Sequence, residues 1–362
     1  MITIEKEFPF SSPYPLSRLG KPHELLFFDI ETTGFSGDYA NLYLIGCVYP
    51  KNGQLHMVQW FADTKACEAQ VLDAFFAFAK HFRTLVHFNG DTFDIPFLQK
   101  RCRALALPHS FEGLESIDIY KRIKPYKKYL GLDSLKQKSI ETFLGIARED
   151  LYDGGQLIQI YEKYLLTGQE DLLGLLLLHN EDDLKGMPNL LPILYYPDFF
   201  TQDFCLKNRE ILSGEPSRVL LTAEGDAATC LPVPLKASYS PYAICMEKNR
   251  LSIEATLYEG TLKYFYPNYR DYYYLTFEDT AIHKSVGEYV DKSARVKATK
   301  ETCYTKKSGV FLPQPSAVWM PEFKHTWKDK GGYFEFIPER LEEPRAFNSY
   351  VREVIKAVFT PL

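Results

Sequence analysis

Short apolar runs alternate with helical patterns through the first 200 residues of the chain. Runs rich in Val, Ile, Phe or Tyr predict strands over Glu24–Ile30, Leu42–Tyr49, Gln54–Ala62 and Thr84–Phe88. Apolar residues at helical spacing predict helices over Cys67–Phe82, Ile95–Leu105, Leu157–Leu165 and Gln169–Met187, the last closed by Pro188. A hairpin-like opening followed by strand–helix alternation indicates an α/β sheet with helices packed on it.

The pattern changes after Pro197. Tyrosine-rich runs predict consecutive short strands over Tyr239–Met246, Arg250–Tyr258, Thr261–Pro267, Tyr272–Phe277 and Phe334–Ile337. Hairpin turns are expected at Asn249–Arg250 and Glu259–Gly260, and a final amphipathic helix over Ser349–Phe359. We therefore expect an N-terminal extension over 1–23, an α/β domain over 24–197 and a β-rich (α+β) C-terminal domain over 198–362, whose role the sequence does not assign.

Composition narrows the class of protein. Hydrophobic residues make up 46% of the 362 residues and charged residues 25%, which excludes disordered and collagen-like chains. The longest apolar run, Leu172–Leu178, is far shorter than the ~20 residues that span a bilayer. No basic segment followed by an apolar run opens the chain, and its seven cysteines include no CxxC pair. We therefore expect no membrane span and a cytoplasmic location.

Two carboxylates stand at the end of the first predicted α/β strand. Asp29 and Glu31 follow Leu-Leu-Phe-Phe, and residues two apart on a strand face the same side. Adjacent anions repel, so a bound cation would explain the pair. A solvated strand end is the alternative interpretation.

Two further acidic segments occur later in the chain. In the first, Asp91 and Asp94 follow a glycine turn, where either residue could also serve as a turn residue or a helix cap. In the second, His179 and Asp183 are four residues apart and share one face of a helix. Acidic residues near a helix C-terminus oppose the helix dipole, which a metal ion or an exposed polar helix end would explain.

Together, these segments resemble the three exonuclease motifs of the DEDD family of nucleases, and most closely its YprB-like group. Motif I is similar to Asp29-Ile30-Glu31-Thr32-Thr33-Gly34, motif II to Asn89 with Phe93-Asp94-Ile95-Pro96-Phe97-Leu98, and motif III to His179 with Asp183. The resemblance covers residues 24–195 and selects Asp94 over Asp91. Histidine stands here at the spacing of the tyrosine branch, and Asp182 stays an alternative to Asp183.

The resemblance implies an α/β ribonuclease-H-like fold, a mixed sheet flanked by helices, and a 3′→5′ exonuclease that hydrolyses phosphodiester bonds by a two-metal mechanism. Asp29, Glu31, Asp94 and Asp183 would hold two Mg²⁺ or Mn²⁺ ions, and His179 would orient the attacking water or accept its proton. A non-catalytic nucleic-acid-binding module and a structure-specific endonuclease with the same metal site are the alternatives. The sequence leaves DNA or RNA, and the oligomeric state, open.

A basic segment, Tyr120–Lys138, lies between motifs II and III. It has a local charge of +6 with tyrosines interleaved, which indicates either a surface for phosphate binding and base stacking or a solvated loop and helix face. The nucleic-acid-binding residues that we predict, for DNA or RNA with single-stranded 3′ ends, are Asn89, Thr32, Lys124, Lys127 and Lys128. The net charge of −5 does not exclude this partner, because the acidic total includes the four proposed metal ligands.

Overall fold

A computed structural model describes residues 1–12, 14–147 and 154–360 of the chain. Contacts divide the chain into two compact units, Met1–Pro197 and Asp198–Leu362. No helix within the described residues is long and apolar enough to cross a membrane.

The first unit is built on a six-stranded mixed sheet. Its strands are β1 (Ile2–Pro9), β2 (Leu25–Thr32), β3 (Leu42–Lys51), β4 (Gln54–Phe61), β5 (Thr84–His87) and β6 (Glu115–Asp118). Their order across the sheet is β1-β4-β3-β2-β5-β6. The first four strands in this order pair antiparallel, whereas β2 with β5 and β5 with β6 pair parallel.

Helices cover both faces of this sheet, because alternate strand residues on each face are apolar. Leu26 and Phe28 belong to a core that includes Phe75 and Leu98. On the opposite face, Tyr43 packs with Tyr161, with the two rings stacked at 4.3 Å. The helices are α1 (Glu68–Ala79), α2 (Asp94–Ala104), α3 (Ile119–Ile123), α4 (Lys127–Leu130), α5 (Gln137–Leu144), α6 (Gly154–Thr167), α7 (Glu170–Leu190) and α8 (Tyr195–Thr201). The predicted mixed sheet flanked by helices is confirmed.

The second unit is rich in antiparallel strands. One sheet has the order β7-β8-β11-β10-β9, and two three-stranded sheets have the orders β12-β16-β17 and β14-β13-β15. The elements are β7 (Cys205–Leu212), β8 (Arg218–Glu224), β9 (Leu231–Tyr239), β10 (Tyr242–Lys248), β11 (Arg250–Thr256), β12 (Tyr258–Phe265), β13 (Tyr272–Leu275), β14 (Thr280–His283), α9 (Lys284–Gly287), β15 (Arg295–Lys297), β16 (Tyr304–Gln314), β17 (Gly332–Glu335) and α10 (Pro344–Phe359).

Several local features differ from the sequence interpretation. The segment 1–23, expected to be an extension, contributes β1, whose Lys6 also bonds Glu181 of α7 at 2.5 Å. Pro188 does not close α7, which runs on to Leu190 because a proline near a helix end removes only one late hydrogen bond. The expected turn at Glu259–Gly260 lies inside β12, where Gly260 has a φ of +154° that glycine adopts without strain.

Candidate functional site

Strand β2 presents the first two candidate carboxylates on the face that α7 covers. Phe28 and Ile30 point into the core beneath α1, so the alternating Asp29 and Glu31 point to the opposite side. The side chain of Asn180 of α7 donates a hydrogen bond to Asp29 there, at 3.0 Å. The expectation that these two carboxylates project together therefore agrees with the strand's geometry.

Helix α7 adds a histidine and a third carboxylate to this face. His179 Nε2 lies 3.4 Å from Glu31 Oε1 and 3.4 Å from Asp183 Oδ2. The potential ligand atoms of these three residues all lie within 4.8 Å of one another. Asp183 reaches this position because it is one helical turn after His179, whereas Asp182 is rotated about 100° around the helix from Asp183.

Asp94, the fourth candidate carboxylate, starts α2 and reaches back to β2. Its buried carboxylate accepts hydrogen bonds from its own backbone N–H and from that of Ile30, which lies between Asp29 and Glu31. The cap position of α2 is Phe93, so Asp94 is not the helix cap that the sequence alone allowed. Burial, with the nearby charges of Asp118 and Asp183, raises the pKa of Asp94 to about 7.

The electrostatics of Asp29 show how closely the acidic side chains approach one another. Burial raises the pKa of Asp29 well above its usual range, and the charges of Asp183, Asp94 and Glu31 raise it further. The hydrogen bond from Asn180 acts in the opposite direction. Carboxylate oxygens are preferred ligands of Mg²⁺ and Mn²⁺, and a bound cation would offset this repulsion. The four carboxylates and His179, which we call the carboxylate centre, therefore fit a divalent metal.

Glu31 has a further partner that restrains it. The hydroxyl of Tyr43 donates to Glu31 Oε2 at a distance of 3.4 Å. Burial and the charge of Glu31 raise the pKa of the Tyr43 hydroxyl well above its usual value, so it stays a donor.

A second group of potential ligands, the His87 group, consists of His87, Asp91 and Asp118. Asp118 accepts N–H groups of Asn89, Asp91 and Lys121 at 3.0–3.2 Å. Asp91 accepts from Ser116 Oγ at 2.5 Å and from Lys121 Nζ at 3.0 Å. Asp91 thus belongs to a network saturated with donors, while Asp94 contributes to the carboxylate centre.

The predicted nucleic-acid-binding residues occupy different places. Asn89, Lys124 and Lys127 line one cavity of about 690 Å³ in the first unit, together with Phe88 and Tyr120. The ring centroids of Phe88 and Tyr120 are 5.9 Å apart, and Lys124 Nζ lies 5.6 Å from the Tyr120 ring. This cavity therefore combines cations with an aromatic surface.

Two other predicted residues lie apart from that cavity. Lys128 is exposed on α4 and is not among the residues that line the cavity. The Thr32 hydroxyl donates to the carbonyl of Gly34 at 2.8 Å, which ties it to the loop after β2. The loop also carries Phe35 and Tyr39, whose side chains are 93% and 92% exposed.

Sequence reasoning missed three side chains around the carboxylate centre: Tyr43, Gln59 and Asn180. Gln59 is the one with a usable signal, because a polar residue inside the apolar run Met57–Phe61 needs an internal partner. In the sequence, Tyr43 is indistinguishable from an ordinary strand residue, and Asn180 from an ordinary polar helix residue. Only the pairing of strands and helix brings them to the carboxylates.

A comparison with family models supports the predicted ribonuclease-H-like fold class. A family model described as the RNase H superfamily matches residues 26–195, which contain all three motifs. A family B DNA polymerase from the hyperthermophilic archaeon Pyrobaculum calidifontis is similar over 67% of this chain, with 16% identity and a TM-score of 0.38. The aligned part is 34% of the polymerase chain, so the similarity spans about a third of that chain's length. No curated protein matches the chain.

The superfamily match bears on chemistry as well as on fold. Ribonuclease-H-like folds generally belong to nucleases and commonly use divalent metals. Acidic groups that could hold a metal are present in the first unit, within the matched residues.

Proposed function

We propose that this protein is a divalent-metal-dependent nuclease that acts as a 3′→5′ exonuclease of the DEDD type. The observation that carries the proposal is the convergence of the carboxylate centre, in which three chain segments contribute four acidic residues and one histidine. Acidic side chains that raise one another's pKa values inside a folded protein destabilise it. A metal-binding function explains why they are present together.

The four carboxylates would hold two cations, Mg²⁺ or Mn²⁺. When bound, the cations would supply activation of the attacking water and compensation for charge on the leaving oxygen. The protein's own task is to keep the carboxylates in place before substrate arrives. The Tyr43 hydroxyl restrains Glu31, and the backbone N–H of Ile30 restrains Asp94.

His179 is the proposed proton acceptor. Its Nε2 lies 3.4 Å from carboxylate oxygens of both Glu31 and Asp183, and histidine is the side chain that most often acts as a general base in enzymes. We assign it the role of orienting the attacking water or accepting its proton.

The basic cavity is the proposed substrate-binding surface. Lys124 and Lys127 would contact phosphates, while Phe88 and Tyr120 offer ring surface on which a base can stack. Asn89, Lys128 and Thr32 are further candidates for contacts with the sugar–phosphate backbone. A strand with unstacked bases fits such a surface better than a rigid duplex, so we propose single-stranded 3′ ends of DNA or RNA as substrate.

The domain division and the location are also proposals. We take residues 24–197 as the nuclease domain, with residues 1–23 adding strand β1 to its sheet, and assign no role to the strand-rich second unit. All seven cysteines lie in the described part of the chain and are free thiols, which supports a reducing cytoplasmic location.

The proposal is tested with end-labelled single-stranded and double-stranded DNA and RNA, incubated with Mn²⁺ or with EDTA. The expected result is a Mn²⁺-dependent ladder that shortens from the 3′ end. Asp183→Asn should abolish the ladder, whereas Asp171→Asn, at the exposed start of the same helix, should leave it intact. Internal cuts would indicate an endonuclease, and binding without cleavage would indicate a non-catalytic module. Absence of both binding and cleavage would refute the proposal.

A further inference from the structure

Three neighbouring strands place Asp29, Gly46 and Gln59 side by side across the first sheet. Asp29 of β2 pairs with Gly46 of β3, and Gly46 pairs in turn with Gln59 of β4. Residues that are direct partners across strands point to the same face of the sheet. Two polar side chains therefore flank a position that has no side chain.

Asn180 of α7 fills the space above Gly46. A Cβ atom at Gly46 would lie 2.0 Å from Asn180 Oδ1, closer than two atoms can approach. In this space Asn180 Nδ2 donates to Asp29 Oδ2 at 3.0 Å, and Asn180 Oδ1 accepts from Gln59 Nε2 at 2.9 Å. The side chains of Asn180 and Gln59 are both completely buried. The glycine thus permits a continuous chain of hydrogen bonds from Gln59 through Asn180 to Asp29.

The backbone of α7 fixes which group donates and which accepts in this series of hydrogen bonds. Gln59 Nε2 also donates to the carbonyl of Leu177 at 3.0 Å, and a carbonyl can only accept. Because the Gln59 amide must present its N–H groups to α7, Asn180 must present its oxygen to Gln59 and its N–H to Asp29. The amide of Asn180 is therefore held in the orientation that suits a carboxylate.

Gln59 destabilises the fold in a way that an apolar residue at this position would not. Its Oε1 is buried and has no hydrogen-bond partner among the described residues. A buried acceptor without a partner destabilises a fold, and an apolar side chain of similar size would remove this defect. The presence of glutamine here is explained if its donors serve another purpose.

We infer that Asn180 is a positioning residue, held by Gln59, that fixes the orientation of the Asp29 carboxylate for metal binding. Gly46 is the third part of this device, because any larger residue would displace the amide. The inference rests on the proposed function, since it assigns Asp29 to the metal. Removal of groups that hold a metal ligand typically weakens metal affinity by about 10–100-fold.

The test measures Mn²⁺ affinity from the electron paramagnetic resonance signal of the free ion. Asn180→Leu should weaken Mn²⁺ binding by about 10–100-fold, and Gln59→Leu should weaken it in the same direction by less. In the Asn180→Leu background, Gln59→Leu should have no further effect, because the link to Asp29 is already broken. General structural damage would instead give losses that add.

A matched control is available in the second unit. Asn348 is a buried amide whose Oδ1 accepts the N–H of Phe204 at 2.6 Å, so Asn348→Leu removes a comparable group far along the chain from β2 and α7. This variant should leave Mn²⁺ affinity unchanged. Should Asn180→Leu fail to fold, Gln59→Leu and Gly46→Ala still test the inference, because each changes a neighbour of Asn180 and leaves Asp29 itself unsubstituted.

Wild-type Mn²⁺ affinity in the folded Asn180→Leu, Gln59→Leu and Gly46→Ala variants would overturn the inference and leave the proposed function standing. A wild-type protein that binds no Mn²⁺ would overturn both. The two failures are therefore distinguishable in a single series of titrations.

Discussion

Two groups of acidic and histidine side chains lie in the first unit, and they differ in what balances their charge. In the His87 group, the protein's own donors surround the carboxylates, since Asp118 accepts three backbone N–H groups and Asp91 accepts from Lys121 and Ser116. In the carboxylate centre, the charges that act most on Asp29 are those of other carboxylates.

The difference shows that counting potential ligands does not identify a metal site. In each group, one histidine and two carboxylates have ligand atoms within 4.8 Å of one another. They are Glu31, His179 and Asp183 in the carboxylate centre, and all three members of the His87 group. What distinguishes the two groups is whether hydrogen-bond donors of the protein itself compensate the charges of the carboxylates. A satisfied group stabilises the fold, whereas a group whose members raise one another's pKa values is a candidate for function.

The largest expected effect separates the two groups by activity. Asp29→Asn combined with Glu31→Gln should reduce Mn²⁺-dependent cleavage by more than about 100-fold, which exceeds the loss expected from a supporting group. The measurement is the initial rate on an end-labelled oligonucleotide. Asp91→Asn, a single substitution in the His87 group, is the comparison variant and should retain most of the activity. Equal losses in both variants would remove the distinction between the groups.

The second effect concerns the pH dependence of stability without metal. Burial and neighbouring charges raise the pKa of Asp94 to about 7, so the folded state binds this proton more tightly than the unfolded state does. Its contribution to the free energy of unfolding is fully present below pH ~4 and is lost as the pH rises towards 7. At ~1.36 kcal/mol per pKa unit, the loss is on the order of a few kcal/mol.

Urea unfolding in EDTA between pH 4 and 8 measures this loss. Asp94→Asn should flatten the profile relative to the wild type, because it removes both the titration of Asp94 and one of the charges that raise the pKa of Asp29. Saturating Mn²⁺ should restore wild-type stability at pH 7.5 but not that of the variant. Identical profiles for the two proteins would show that Asp94 does not carry a raised pKa.

A smaller effect is expected from the centre of the His87 group. Asp118→Asn weakens charged hydrogen bonds to the N–H groups of Asn89, Asp91 and Lys121, so the free energy of unfolding should fall by about 1.5–3 kcal/mol. Denaturant titration at pH 7 checks the loss. Mn²⁺ affinity should stay within a few-fold of wild type, and a large decrease would mean that Asp118 belongs to the metal site.

The smallest expected effect concerns the basic segment. Replacing Lys124, Lys127 and Lys128 by alanine should weaken binding of single-stranded nucleic acid and lower the salt slope of log affinity by about 2, at ~0.7 per phosphate contact. Fluorescence anisotropy at several salt concentrations measures the slope. The charge-matched control replaces three exposed lysines elsewhere in the first unit, Lys51, Lys80 and Lys163. An unchanged slope in the first variant would indicate a merely solvated segment.

Local patterns in the sequence were enough to predict the central elements of the first unit. The apolar run before Asp29 predicts β2, and alternation along a strand correctly places Asp29 and Glu31 on one face. The helical period likewise brings His179 to Asp183. These features depend only on residues close together in the chain.

Features that depend on pairing between distant segments were not predictable in the same way. Strands β1 and β7 are largely exposed and contain many polar residues, so they lack the apolar pattern that predicts a strand. The choice of Asp94 needed the motif resemblance, because residues alone favour a cap or a turn. The juxtaposition of Asp29, Gly46 and Gln59 requires the register of three strands, which no local pattern specifies.

The most direct test of the central claim is anomalous diffraction from crystals grown with Mn²⁺, which locates the ion and its ligands. We expect manganese peaks bound by Asp29, Glu31, Asp94 and Asp183, and none at Asp91 or Asp118. Manganese at the His87 group, or no manganese at the carboxylate centre, would contradict the account.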